Sequence, residues 1–119
     1  MKLAILILIT AVAPSAFACP NLAGRYYCEG SYLNITQSEN ASGVTVFVIG
    51  STRYIADGKK RVSGGITSKA KCSGRKLTVK SSLGFESSTD KYIANDDGTM
   101  LFSYQPERYT TRKLKCVRY

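Results

Sequence analysis

At 119 residues with a formal charge of +9, 44% apolar side chains and no histidine or tryptophan, the chain is long enough for one small domain and too short for two. The missing histidine removes the usual general base at neutral pH and a principal metal ligand, and no Cys-x-x-Cys pair supplies zinc spacing. The basic balance favours encounters with anionic material without choosing among lipid, glycan and nucleic acid.

Met1-Lys2 is a short basic start, Leu3 to Val12 is nearly unbroken apolar, and Ala16-Phe17-Ala18 is a small-x-small cleavage site. Residues 1–18 are therefore expected to be a Sec-type signal peptide of bacterial style, leaving residues 19–119 as one secreted or periplasmic domain. The apolar run falls short of the roughly 20 residues a spanning helix needs, so no membrane span is expected. Cleavage would leave Cys19 first, as in bacterial lipoproteins, but Ala16-Phe17-Ala18 departs from their Leu-rich box. All four cysteines, Cys19, Cys28, Cys72 and Cys116, lie in the exported part. An even count there reads as two disulfides with three possible connectivities, and lipid on Cys19 would leave an odd thiol.

Leu22 to Cys28 reads as a first strand, with Tyr26 and Cys28 on one side of the alternation. Glu29-Gly30 punctuates it, and Ser31 to Gln37 follows with Leu33 and Ile35 on one face. Val44 to Ile49 is the most β-branched stretch and is expected to be covered on both sides. Thr52 to Ala56 leads to Asp57-Gly58, which reads as a tight hairpin into Lys59-Lys60-Arg61-Val62. Thr67 to Cys72 and Arg75 to Ser81 flank Ser73-Gly74; Ala70, Cys72, Leu77 and Val79 face in, and Lys69, Lys71, Lys76 and Lys80 face out. Ser81 to Ser88 reads as the least structured stretch. Asn95-Asp96-Asp97-Gly98 reads as a turn rather than a calcium loop, since the EF-hand spacing and distal glutamate are missing. Pro106 is a breaker, and Tyr109 to Val117 is a closing strand with Leu114 and Cys116 in and Lys113 and Lys115 out.

Short strands, frequent turns and no helix give an all-β fold: an antiparallel up-and-down meander closed into a small β-barrel of about eight strands, with a β-sandwich as the alternative. Closure would pair the first and last strands and remove the sheet edges.

Leu22-Ala23-Gly24-Arg25-Tyr26 resembles the Gly-x-Trp start of the lipocalin and related calycin barrels, with tyrosine in place of tryptophan. The resemblance implies that an arginine of the last strand, here Arg118, covers the ring of Tyr26. If it does, stepping two residues along each strand brings Cys28 beside Cys116 and leaves Cys19 for Cys72. Size, leader and disulfides are also similar to those of small periplasmic barrel proteins that inhibit lysozymes.

No enzyme is expected: with neither histidine nor a free thiol, the eight carboxylates would have to carry the chemistry, and most of them sit in turns. No cofactor is implied. Two binding readings remain. In the one that the calycin resemblance implies, the protein holds a small amphipathic ligand in or at the mouth of the barrel. Tyr26, Arg112 and Arg118 form its site, and Arg112, on the parity of Leu114 and Cys116, meets an acidic head group. In the other, Lys59, Lys60, Arg61, Lys69, Lys71 and Arg75 dock a monomer on an anionic glycan or lipid surface, or on a partner protein as an inhibitor. Asn34-Ile35-Thr36 and Asn40-Ala41-Ser42 are sequons that matter only in a eukaryotic host.

Overall fold

Ten β-strands, all paired antiparallel, make up one sheet in the computed structural model, which describes residues 19–119; the signal-peptide reading of residues 1–18 lies outside them. The strands are β1 (Gly24–Cys28), β2 (Ser31–Glu39), β3 (Thr45–Ile49), β4 (Thr52–Ile55), β5 (Arg61–Ser63), β6 (Ile66–Ser73), β7 (Lys76–Leu83), β8 (Glu86–Ala94), β9 (Met100–Pro106) and β10 (Arg112–Arg118). The sheet curls into a half-barrel rather than splitting into a sandwich, and it holds ten strands. Among the described residues no helix is long and apolar enough to cross a membrane.

The strand order runs β4-β3-β2-β1-β10-β9-β8-β7-β6-β5. First and last strands do pair, Tyr26 opposite Arg118 and Cys28 opposite Cys116. That pairing puts the two chain ends in the middle of the sheet and moves its edges to β4 and β5. Asp57-Gly58 is consequently no hairpin: β4 pairs only with β3, and β5 only with β6. The linker crosses from one edge to the other, where the Gly58 N–H donates to Ala70 O at 2.8 Å beside the approach of β4 to β6. An Asp-Gly pair serves any sharp bend, and here an acceptor on β6 decides which one. Ser81 to Ser88 is likewise ordered, forming the end of β7, a Gly84-Phe85 turn and the start of β8. Its serines satisfy the ladder without supplying apolar side chains.

The concave face gathers Leu22, Tyr26, Ile35, Phe47, Leu77 and Met100, all at or near full burial. Val46 and Phe47, neighbours on opposite faces of β3, are both buried, as the β-branched run implied. The segment before β1 plugs one end of the half-barrel. Leu22 N–H donates to the Gln37 side-chain oxygen at 2.8 Å, Gln37 Nε2 donates to Pro20 O at 2.9 Å, and the Cys19–Cys72 disulfide ties the segment to β6. A second disulfide, Cys28–Cys116, bridges β1 and β10. Two such bonds belong to an oxidising compartment outside the cytoplasm.

At the β1–β2 turn, Glu29 and Gly30 both adopt positive φ, 46° and 110°, which matches the sheet's twist in a two-residue hairpin. Glu29 bears the left-handed conformation without a glycine's freedom. Its carboxylate accepts the Lys115 backbone N–H at 2.7 Å, just past the last β1–β10 pair.

Candidate functional site

Strands β6 to β9 are longer than β3 to β5, so one end of the concave face has no wall opposite it; the molecule measures 62 × 32 × 24 Å. In this open end lies a groove of about 500 Å³, within the usual range of small-ligand sites. Its apolar lining comes from Ile66 on β6, Leu83 on β7, Tyr104 and Pro106 on β9 and Tyr109 in the following loop; Arg112 of β10 stands at its edge. Ile66 is 43% and Leu83 59% exposed, values a closed core would not leave. Ser81, Ser87 and Ser88 add hydroxyls, and Glu86, Glu107 and Arg108 complete a mixed-charge rim. A second depression, about 850 Å³, lies at the plugged end beside Cys19, Gln37 and Ser42 to Thr45, with no lysine or arginine in its lining.

The ladder carries the groove's chemistry inward. Arg112 pairs with Tyr104, and Tyr104 with Asp90, so the three form a transverse row on the concave face. Among the described residues Asp90 Oδ1 is buried without a hydrogen-bond partner. Burial pushes this carboxyl above its ordinary range. Tyr92, two residues along β8, is raised by its own burial and then by Asp90 and Tyr54, while Tyr54 on β4 is raised by burial and Asp90, with a Thr52 hydrogen bond opposing. All three shifts favour the neutral forms. The cluster therefore offers hydroxyl donors and a carboxyl that a ligand's own donor would satisfy.

The residues proposed from sequence fall in several places. Tyr26 is 1% exposed, at the plugged end; its hydroxyl donates to Leu22 O at 2.8 Å, and the Arg118 guanidinium lies 5.3 Å from its ring centroid. Arg118 also donates to the carbonyls of Gly98, Asn21 and Ala23 at 3.3 to 3.4 Å. Gly24 makes room for it, since a Cβ there would sit 3.0 Å from Arg118 Nε. Arg112 and Arg118 are six residues apart on one strand, about 20 Å at ~3.3 Å per residue, so they cannot act on one small ligand.

The basic residues divide too. Lys59 and Lys60 are exposed in the linker, Arg61 holds Asp57 through two bonds of 2.7 and 2.8 Å, and Arg75 pairs with Asp96 between hairpin tips. The Arg61 hydrogen bond is the main reason the Asp57 carboxyl lies well below the usual carboxylate range. Lys69 and Lys71 stand on the convex wall of β6.

Asp90, Tyr104, Tyr54 and the apolar lining were missed by sequence reasoning. Alternation with Tyr92 was the one available signal that Asp90 faces in. Among the described residues no three His, Cys, Asp or Glu side chains converge as a metal site would need. Compared with protein-family models, with curated proteins and with solved structures, the chain matches none of them.

Proposed function

We propose that this is a secreted or periplasmic, non-catalytic carrier or sensor that holds a small amphipathic ligand in the groove at the open end of the half-barrel, in the manner of a lipocalin. The observation that carries the reading is the exposed apolar lining beside Arg112, which forms no salt bridge among the described residues. An alkyl or aryl body packs on Ile66, Leu83, Tyr104 and Tyr109, and an anionic head meets the Arg112 guanidinium, a planar fork suited to a carboxylate. The Arg118–Tyr26 pair, which resembles the arginine-over-aromatic closure of calycin barrels, serves structure at the other end.

The test is titration of a dansylated long-chain fatty acid, alongside mass spectrometry of whatever copurifies from the native host. The expected result is saturable binding that Arg112→Gln weakens about tenfold, the worth of one charge-assisted contact, with thermal stability unchanged. Binding that neither Arg112→Gln nor Leu83→Ser alters would remove the groove from the account.

A further inference from the structure

The convex face of β6 to β10 gathers lysine, whereas the two arginines of these strands, Arg112 and Arg118, share the concave face. Every lysine of these strands stands on the convex face: Lys69 and Lys71 on β6, Lys76 and Lys80 on β7, Lys91 on β8, and Lys113 and Lys115 on β10. The two carboxylates of the same strands, Glu86 and Asp90, share the concave parity of Tyr92. Strands β1 to β4 contain no lysine, their cations being Arg25 and Arg53. Solubility alone asks for mixed charges over the whole surface, so the concentration of lysine on one face of one half of the sheet needs another cause.

The ladder also orders these cations. Lys71, Thr78, Lys91, Ser103 and Lys113 lie in register across five strands. Lysine thus recurs on every second strand, at a spacing of roughly 10 Å given about 4.8 Å between strands. The half-buried Thr78 and the buried Ser103 take the places between. Beyond Lys115, and one same-face step along β10, Val117 pairs with Tyr27 and Tyr27 with Tyr32. Tyr27, Tyr32 and Tyr119 form an exposed aromatic cluster with ring centroids 5.2 and 5.4 Å apart.

We propose that this lysine row, with the adjoining tyrosines, is a docking surface for a linear acidic polysaccharide bearing a carboxylate on every second sugar. The repeat of the row suits one acid group per disaccharide, and the tyrosine rings offer flat apolar faces to the C–H sides of pyranose rings. Single-stranded nucleic acid fits less well: the rings are inclined at 60° and 72° to one another, so they give no run of parallel platforms for successive bases. A bilayer fits less well too, since the row contains only lysine and hydroxyl side chains and places nothing in an acyl layer. The groove plays no part in this surface, so failure here leaves the carrier reading standing.

The experiment is calorimetric titration with hyaluronan oligosaccharides of graded length, oligothymidylate and phosphatidylglycerol vesicles as comparison probes. The span from Lys71 to Lys113 is roughly 19 Å, so affinity should rise with length until the oligosaccharide covers it and then level off. Lys71→Gln/Lys113→Gln should cost about tenfold, whereas Lys59→Gln/Lys60→Gln, equal in net charge but off the row, should cost about threefold or less. Equal losses in the two double variants would show that net charge alone is at work and overturn the row. Tighter binding of oligothymidylate or of the vesicles, or a disaccharide that binds as well as the longer chains, would overturn the choice of partner.

Discussion

Replacing Cys28 and Cys116 together with alanine opens a closed loop of 88 residues. Treated as lost loop-closure entropy in the unfolded chain, a cross-link of that length is worth about 4.6 kcal/mol at 25 °C, against about 4.1 kcal/mol for the 53-residue separation of Cys19 and Cys72. Cys116 is fully buried and Cys28 nearly so, and trimming both sulfurs from the packed core adds about 1 kcal/mol. The total, more than 5 kcal/mol by this reckoning, rivals the whole stability of an ordinary small domain at about 5–15 kcal/mol. With a guanidinium slope of about 4 kcal/mol/M, the unfolding midpoint should fall by a little more than ~1 M. Tyrosine fluorescence can follow it, since the chain has 8 tyrosines and no tryptophan. A loss below about 1.5 kcal/mol would mean that β1 and β10 already stay together in the denatured chain, and the loop-length reasoning would fail.

Two other expectations concern single side chains. The Asp90 carboxyl is raised by burial above its ordinary 3.8, so folding bears no penalty from it below that pH and the full penalty once pH exceeds the raised folded value. Asp90→Asn should therefore stabilise by about 1 kcal/mol at neutral pH, the low end for a half-exposed group, and the gain should vanish near pH ~3; a gain independent of pH would refute the charge argument. Arg118→Ala removes the cation over Tyr26 and three bonds to carbonyls, and should cost about 1–2 kcal/mol in thermal or denaturant unfolding, with Arg118→Lys recovering part of it. If lysine recovers nothing, planarity and reach rather than charge hold that end shut.

Much of the frame was legible because β-structure writes its register into parity. Gly24, Tyr26 and Cys28 alternate inward at one end of the chain, as Leu114, Cys116 and Arg118 do at the other, and the calycin resemblance, in setting Arg118 over Tyr26, singled out the register that brings Cys28 to Cys116. The same parity separated the lysines of β6 and β7 from the apolar side chains behind them. The groove was not legible, because it arises from one group of strands outrunning another. Leu83 and Ile66 look like core residues in the sequence, and only the absence of a facing strand leaves them exposed. Asp90 was hidden for a related reason: its neighbours in sequence are polar, while Tyr54, whose hydroxyl it helps to keep protonated, belongs to β4, on the other half of the sheet. Asp57-Gly58 carried a true signal for a bend and none for its direction.

Placing the first strand beside the last has a consequence in time. In a chain made from its N-terminus, β1 presents its unpaired edge before β10 exists, and Cys28 stays without its partner until Cys116 follows it. During that interval the nearest thiol to Cys28 is Cys19, followed by Cys72. Early oxidation therefore favours a wrong bond, and reaching Cys28–Cys116 then takes thiol exchange, driven to completion by the ladder that forms when β10 docks. A truncation that removes only the final seven or so residues would spare nine of the ten strands, yet leave β1 and β9 as facing open edges and Cys28 free to cross-link one copy of the chain to the next.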